Sequence, residues 1–355
     1  MGENNGLIHF VSADSDRGPS VCVIAEIGVN HDGDVAKALA LTQAAKQAGA
    51  DAVKLQFFDP DLLLSKQALL ADYQKDLGQT DVHAMLRALA LNLKAITQVC
   101  DFAHTLGMGF VITPFSMEHI PVLMGLDLDA VKIASPDVVN LPLLESACEL
   151  GKPMIVSTGT TDLAEIAPAA QLLKKIPAAC LLHCVSSYPT PPQEAGLSAI
   201  RVIADAYDLP TGYSDHTTSL VTGALAVAAG ACVIEKHLTY DCHAFGPDHA
   251  ASMDPDAFGE YVAHIRQAAL MLGKRIKAVS DVECDVRHVS RQSVCAARDL
   301  SAGQTLTRGD LTLRRPGTGI PAMQFFWVIG QTLKSDIAQG NLLTEDDLNC
   351  WAPRR

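Results

Sequence analysis

Short apolar runs alternate with segments of helical periodicity along most of this sequence. Each run is rich in β-branched residues, ends in polar residues and is followed by a helix-like stretch. Such alternation favours parallel strands joined by helical crossovers, and hence an α/β fold. The eight predicted strands are Val21–Val29, Ala52–Phe58, Gly109–Phe115, Ala130–Ser135, Pro153–Thr158, Cys180–Ser186, Pro210–His216 and Cys232–Thr239.

The segments between the runs carry apolar residues at helical spacing, often with a glycine where the helix should end. The predicted helices are Val35–Gly49, Leu141–Gly151, Asp162–Lys175, Ala195–Tyr207, Ser219–Gly230 and Asp256–Gly273. Eight strand–helix units within about 250 residues are the size of a (β/α)8 TIM barrel, which we predict for residues 1–273. A doubly wound open sheet is the alternative, but its usual Gly-rich first turn, GxGxxG, is absent.

The pattern changes after residue 273. Residues 274–290 are charged and show no clean period, which predicts a linker. Residues 291–355 contain short alternating runs, Ser293–Ala296 and Leu311–Arg314, broken by turns rich in Gly and Pro. Turns at that spacing predict a small β-rich domain.

Charge and cysteine usage narrow the functional classes. A formal net charge of −13 and the lack of a basic run disfavour nucleic acid and anionic membranes as partners. No apolar run reaches the roughly 20 residues of a membrane span, and the polar N-terminus lacks the layout of a signal peptide. Ten cysteines without a CxxC pair indicate free thiols in a reducing compartment, so we expect a cytoplasmic protein.

Polar side chains mark the ends of all eight predicted strands. In a TIM barrel the active site is built from these carboxyl ends. Any single side chain can point outward instead, because side chains on a strand alternate between its faces. Eight aligned ends together predict a site. Its candidates are Glu26, Lys54, Gln56, Thr113, Lys132, Ser135, Ser157, His183, Ser186, Ser214, Asp215, His216, Glu235, Lys236 and His237.

Two kinds of chemistry follow from these residue types. Lys54 and Lys132, with the neighbouring hydroxyls, can bind a phosphate. His216 and His237 end adjacent strands and can share one metal ion, although two structural histidines are the alternative. No cysteine is placed as a third soft ligand, which favours a Mn²⁺- or Mg²⁺-like site over structural zinc.

Nine stretches of the barrel region form an ordered set of motifs. They read AEIGVNHDGD, GADAVKLQFF, ITPFS, VKIAS, KPMIVSTG, LLHCVSSYPTPP, GYSDHT, IEKHLT and GPDHAASMDP. Together they resemble the sialic acid (N-acetylneuraminate) synthase family. The tail, with RQSVCAARDLSAGQTLTRGDL and RRPGTGI, resembles the antifreeze-like (SAF) domain that follows the barrel in that family.

The resemblance implies a transferase that condenses phosphoenolpyruvate (PEP) with N-acetylmannosamine, or a close N-acetylated amino sugar, to give a nonulosonate and phosphate. It implies Glu26, His216 and His237 as catalytic residues, with the two histidines binding a divalent metal: Mn²⁺ first, Mg²⁺ or Co²⁺ as alternatives. The PEP-binding residues would be Lys54, Thr113, Lys132, Ser135, Ser157, Ser186 and Ser214. The sugar-binding residues would be Gln56, Gln79, Asp137, Tyr188, Asp248 and Arg315.

The resemblance also implies a homodimer. Arg315 matches an arginine of the SAF domain that reaches the partner's barrel, so the domains would be swapped between subunits.

Three positions depart from the family pattern at the sugar. Asp137 stands where a Glu is usual, Ser186 where an Asn is usual, and Gln79 near where an Asn contacts the sugar. The motif match ranks the neuraminate reaction first, with the N,N'-diacetyllegionaminate or pseudaminate reaction as the alternative. Remoter alternatives are a PEP synthase for a sugar phosphate, a non-catalytic carbohydrate- or ice-binding protein and a carboxylate-pair hydrolase.

Overall fold

Eight parallel strands close into a barrel in the computed structural model, which describes residues 21–69, 81–274 and 276–351. Each strand pairs with the next in chain order, and the eighth returns to the first. Each predicted run overlaps one strand, so the predicted TIM barrel is confirmed. The strands are β1 (Cys22–Gly28), β2 (Ala52–Phe57), β3 (Gly109–Pro114), β4 (Ala130–Ile133), β5 (Met154–Ser157), β6 (Ala179–Cys184), β7 (Thr211–Asp215) and β8 (Val233–His237).

Helices cover the outside of the barrel. Many begin at an Asp or Asn whose side chain accepts a hydrogen bond from a first-turn N–H, as Asp34, Asp162 and Asp254 do. Among the described residues, no helix combines the length and the apolar character needed to cross a membrane. The helices are α1 (Val35–Gln47), α2 (Pro60–Leu63), α3 (Val82–Leu89), α4 (Leu93–Thr105), α5 (Ile120–Leu123), α6 (Leu141–Cys148), α7 (Leu163–Leu173), α8 (Ala199–Tyr207), α9 (Thr222–Ala228) and α10 (Pro255–Leu272).

The strands divide the core into two layers. Between strands and helices lies a large apolar cluster that includes Val23, Val53 and Ile234. Inside the barrel lies a smaller apolar cluster that includes Ile24 and Val233. Alternation along each strand separates the two sets, and the inner cluster ends where polar residues begin.

Residues from Ile276 onward form a second compact unit with its own apolar core. Its strands β9 (Ser293–Ala296) and β10 (Leu311–Arg314) pair antiparallel, and both match the predicted runs. The segment predicted as a linker, 274–290, contains a helix, α11 (Cys284–Ser290), that belongs to this unit. A short helix, α12 (Phe325–Val328), follows β10. The domain boundaries themselves stay a prediction.

Candidate active site

The polar residues predicted at the strand ends gather at the carboxyl end of the barrel. Strand β1 lies between β2 and β8 in the barrel. Its Glu26 is in register with Lys54 of β2 and with His237 of β8. On β1 the inward-facing series runs from Ile24, in the apolar interior, to Glu26. The barrel therefore has a dry floor and an ionisable upper layer.

Four buried charged groups form the centre of this layer. Lys54 Nζ lies 2.7 Å from Glu26 Oε2 and 4.0 Å from Glu235 Oε2. Lys132 Nζ lies 3.9 Å from Glu235 Oε1 and donates a hydrogen bond to the carbonyl of Ile133. All four side chains are almost fully buried. Two ammonium groups and two carboxyl groups thus face each other in a site from which water is largely excluded.

Burial and charge set the protonation of this cluster. Burial raises the pKa of Glu26 to about 6, although Lys54 acts against the shift. Burial also opposes ionisation of Glu235, but the ammonium groups of Lys132 and Lys54 outweigh it and hold its pKa below the ordinary value. Burial disfavours the charged form of Lys54, yet Glu235 and Glu26 raise its pKa. Burial also lowers the pKa of Lys132, although Glu235 acts against the shift. Glu26, with its pKa near 6, can exchange a proton near neutral pH.

Hydroxyl groups surround the lysines. Thr113 Oγ1 accepts a hydrogen bond from Lys54 Nζ at 3.1 Å, and Ser214 Oγ donates to Glu235 Oε1 at 3.1 Å. The Ser157 hydroxyl is buried and has no hydrogen-bond partner among the described residues. Donors of this kind are what the oxygens of a bound phosphate need.

Ser135 and Ser186 meet at the backbone of Gly159. The N–H of Gly159 donates to Ser135 Oγ at 3.0 Å. A Cβ added to Gly159 would lie 2.8 Å from Ser135 Oγ and 2.4 Å from Ser186 Oγ. A side chain here would displace both hydroxyls, so glycine lets the β5 loop approach them closely.

His216 and His237 lie side by side, with ring centroids 5.6 Å apart. Tyr188 packs on both, 4.0 Å from the His216 ring and 6.0 Å from the His237 ring. His216 Nδ1 donates to the carbonyl of Val185 at 2.8 Å, so Nε2 is the ring atom that offers a lone pair when the imidazole is neutral. Burial opposes protonation of His216, but Cys184 outweighs it and raises the pKa of this ring above its ordinary value. Burial holds the pKa of His237 well below its ordinary value, so this imidazole is neutral.

These two rings fit a divalent cation. His237 Nδ1 is buried without a hydrogen-bond partner among the described residues, and the nearby Asp248 Oδ2 is 3.8 Å away. Neutral imidazoles with free lone pairs are common metal ligands. Within the described ranges, no three His, Cys, Asp or Glu side chains are gathered closely enough to hold a metal ion. A cation would accordingly take two protein ligands here and complete its shell with water or substrate.

The predicted sugar contacts lie in different places, and Tyr188 is the one that packs on the two histidine rings. Gln56 and Asp248 lie at the site: Gln56 Nε2 donates to Glu26 Oε1 at 2.9 Å, and Asp248 is beside His237. Asp137 follows β4, where it accepts a hydrogen bond from Asn140 and feels the charge of Lys132. Arg315 is exposed in the second unit, just after β10. Gln79 lies outside the described residues.

Three of the predicted candidates lie on the outer face of their strands, because side chains on a strand alternate between its two faces. His183, Asp215 and Lys236 point outward: His183 Nε2 contacts the carbonyl of Ala195, and Asp215 accepts from the hydroxyl of Tyr261. These three are not part of the interior cluster.

Two site residues have no assigned role in the resemblance, Glu235 and Cys184. Glu235 contacts both lysines, and its alternation with His237 on β8 is a sequence signal for its inward direction. Cys184 Sγ lies 3.8 Å from His216 Nδ1 and 3.5 Å from Ser135 Oγ. It looks like one more buried core cysteine in the sequence, and nothing there distinguishes it.

Two family models match the chain. The NeuB family matches residues 41–277, and the SAF domain matches residues 291–349. The chain belongs to the NeuB family. NeuB-family synthases are PEP-dependent condensing enzymes, so the predicted enzyme class is confirmed. The second unit is the SAF domain that the tail predicts.

Individual relatives agree with this assignment over nearly the whole chain. The N,N'-diacetyllegionaminic acid synthase of Legionella pneumophila is 40% identical to this NeuB-family chain over 92% of its length and 95% of the relative's. The N-acetylneuraminate-9-phosphate synthase of Mus musculus is 30% identical, covering 92% of each chain. The crystal structure of the N-acetylneuraminic acid synthetase of Leptospira borgpetersenii matches with a TM-score of 0.69 and 32% identity, over 75% of this chain and 90% of that one.

Proposed function

We propose that this enzyme condenses PEP with an open-chain N-acetylated amino sugar to form a nonulosonate and phosphate. One observation carries the proposal: the ammonium groups of Lys54 and Lys132 share Glu235 at 4.0 and 3.9 Å, in the same buried layer as the His216–His237 pair. An anion site next to a pair of lone-pair donors suits one anionic substrate and one carbonyl substrate.

The residues divide the work between the two substrates. Lys54 and Lys132, with Thr113 and Ser214, bind the phosphate of PEP and hold it while charge moves. C3 of PEP forms a bond to the aldehyde carbon of the sugar, and the aldehyde oxygen becomes a hydroxyl. Water adds at C2 and loses one proton, and the C2–O bond to phosphate then breaks as the keto group forms, with the departing phosphate taking the second proton of the water. Glu26 is the proton carrier for the water or the new hydroxyl.

We further propose that His216 and His237 hold a divalent cation, Mn²⁺ first and Mg²⁺ or Co²⁺ as alternatives. When bound, the cation supplies Lewis-acid polarisation of the acceptor's aldehyde. Tyr188 and Asp248 border the two rings and would orient the acceptor there.

For the acceptor, we propose the di-N-acetylated 6-deoxy sugar that leads to N,N'-diacetyllegionaminate, ahead of N-acetylmannosamine. This reverses the order drawn from the motifs. Support comes from the 40% identity to a legionaminate synthase against 30% to a neuraminate-9-phosphate synthase. Support also comes from Asp137, which is smaller than the usual Glu and leaves room for a second acetamido group.

The test is to incubate the enzyme with PEP, Mn²⁺ and each acceptor in turn, and to measure phosphate release and product mass. We expect kcat/KM to favour the di-N-acetylated acceptor by at least tenfold, about 1.4 kcal/mol. A tenfold preference for N-acetylmannosamine would restore the neuraminate assignment, and no turnover of either sugar would refute the proposal. The substitution Asp137→Glu should move the ratio towards N-acetylmannosamine.

We also propose a homodimer in which Arg315 of the SAF domain contacts the sugar in the partner's barrel, and a cytoplasmic location. The location is supported by the ten cysteines, all of which are free thiols in the structure.

A further inference from the structure

Lys236 is fully buried and yet faces away from the barrel interior. It stands on β8 between Glu235 and His237, whose side chains point inward, so alternation directs it outward. Its Nζ lies 6.0 Å from the ring centre of Tyr261 in α10. Burying an ammonium group costs several kcal/mol unless it is paired, so the identity of its partners matters.

The partners of Lys236 are mainly backbone carbonyls. Its ammonium donates to the carbonyl oxygen of Asp215 at 3.3 Å and to that of Thr217, and Asp215 Oδ1 is 4.0 Å away. These two carbonyls flank His216. Asp215 and Lys236 form the last register pair between β7 and β8, so the lysine side chain holds the backbone at the point where the ladder ends.

The carboxylate of Asp215 also contacts this turn. Oδ1 accepts from the N–H of Thr217 at 2.8 Å, and Oδ2 accepts from the hydroxyl of Tyr261 at 2.7 Å. Gly223 in α9 makes room for this hydroxyl, since a Cβ there would lie 2.5 Å from the Tyr261 oxygen. Three side-chain contacts outside the barrel thus hold the backbone around His216. Lys236 contacts the carbonyls of Asp215 and Thr217, and Asp215 accepts from the N–H of Thr217.

We propose that Lys236 is a positioning residue for His216. By holding the carbonyls on both sides of His216, it fixes the direction in which the imidazole faces His237. The inference rests on the proposed function, in which this pair of rings holds a divalent cation. Groups that hydrogen-bond to a metal-ligating side chain typically change metal affinity by about 10–100-fold when they are removed. Lys236 contacts the backbone beside the ligand and not its ring, so we expect an effect at the lower end of that range.

The test is Lys236→Met, which keeps the length and burial of the side chain but removes the ammonium. Mn²⁺ binding to the full chain without substrates is measured from the electron paramagnetic resonance signal of free Mn²⁺. We expect the Kd for Mn²⁺ to rise about tenfold. His216→Gln, which removes the ring itself, serves as the reference and should weaken binding further.

Phe258→Leu is the matched control, because Phe258 is fully buried in α10 beside Tyr261 but contributes no polar contact to the turn. Both substitutions should lower the melting temperature, whereas only Lys236→Met should raise the Kd. A folded Lys236→Met protein with the wild-type Kd would overturn the inference.

If Lys236→Met does not fold, Lys236→Gln takes its place, since its shorter amide can still donate to one carbonyl. It should weaken Mn²⁺ binding to a smaller extent, and an unchanged Kd would overturn the inference as well. A wild-type Kd in His216→Gln, or no Mn²⁺ binding by the wild-type chain, would overturn the proposed cation site and this inference with it.

Discussion

Glu26 is a buried carboxyl group whose pKa is raised to about 6 by burial, with Lys54 2.7 Å away. If it takes the proton from the attacking water, its ionised form is the active one, and kcat/KM should rise with pH through about 6. Glu26→Gln should lower kcat by about 10²–10⁴-fold and remove this acid limb. The measurement is a pH profile at saturating Mn²⁺, with circular dichroism as the control for folding. An acid limb that persists unchanged in Glu26→Gln would assign the limb to another group.

Gly159 tests the phosphate-binding side of the site. Gly159→Ala would bring a Cβ within 3 Å of both Ser135 Oγ and Ser186 Oγ, so at least one hydroxyl must rotate away. We expect the KM for PEP to rise about tenfold, equivalent to about 1.4 kcal/mol, with little loss of stability. Gly125→Ala is the control, because the nearest atom to a Cβ there is 3.6 Å away. An unchanged KM for PEP in Gly159→Ala would indicate that the hydroxyls of Ser135 and Ser186 do not contribute to PEP binding.

At the residue scale, the sequence predicts which strand ends are polar but not which side chains face inward. Lys54 and Lys236 look alike in sequence, as polar residues within apolar runs, and only the pairing of the strands distinguishes them. Glu235 of β8 contacts Lys54 of β2 and Lys132 of β4 because the closed barrel brings these three strands together. No local sequence pattern predicts this arrangement.

At the scale of elements, the loop between β8 and α10 is tied to the loop between β1 and α1. His249 Nδ1 contacts Thr239 Oγ1 at 2.7 Å, and its Nε2 contacts Asp32 Oδ1 at 3.1 Å. Asp32 also accepts from Lys37 and from the hydroxyl of Tyr240. Burial opposes ionisation, but these hydrogen bonds hold the pKa of Asp32 below its ordinary value, so the tie persists at neutral pH.

Because Asp248 is the next residue to His249, loosening this tie should affect the acceptor. Asp32→Ala should raise the KM for the sugar several-fold and leave the KM for PEP nearly unchanged, as measured by steady-state kinetics with each substrate varied. Lys37→Met serves as the control, because it removes the half-exposed ion pair with Asp32, worth at most about 1 kcal/mol, and the contacts with Tyr240, but leaves the contact between His249 and Asp32 in place. Equal changes in both KM values would indicate a general loss of structure instead.

The barrel strands are predictable because each is a short apolar run ended by polar residues. The helix α4 carries a comparable signal, since Ile96, Val99, Cys100 and Ala103 recur at helical spacing and are all buried. The prediction from the sequence left it out. In the second unit, isolated bridges and capping boxes connect much of the backbone in place of long helices and strands. Hydrophobic periodicity therefore predicts little of the structure of this unit.

At the scale of the whole molecule, each of the two compact units buries its own apolar cluster. A chain ending at Arg275 should therefore fold by itself. We expect it to bind PEP and lose turnover of the sugar, because it lacks Arg315. Calorimetry with PEP and a turnover assay on the same sample give the two readings. Full turnover by the shortened chain would show that the SAF domain is not required for the reaction.

Mixing two inactive chains tests whether Arg315 acts on the partner's barrel. Arg315→Ala lacks the proposed sugar contact, and His216→Ala lacks a proposed metal ligand. In a domain-swapped dimer, one of the two sites of a mixed pair has both wild-type parts, so mixing should restore part of the activity. Mass spectrometry confirms that subunits have exchanged. Absence of recovery in exchanged dimers would indicate that the domain serves its own barrel.

Hydrophobic periodicity changes near residue 273, and for this reason a barrel and a separate small β-rich domain could be predicted from the sequence. The swapped dimer has no counterpart in that periodicity. It depends on how the surfaces of two chains fit, and Arg315 gives no sign of this in sequence beyond standing in a turn.

Strand β8 also bears on which genetic changes this enzyme can tolerate. A substitution at Glu235, Lys236 or His237 alters one group. Loss of a single codon within the strand, at Ile234 for example, would turn every following side chain to the opposite face. The ammonium would enter the barrel while the carboxylate and imidazole left it, so one small in-frame deletion would disable three contributions at once. Length variation among descendants of this gene should therefore be confined to the loops and absent from β8.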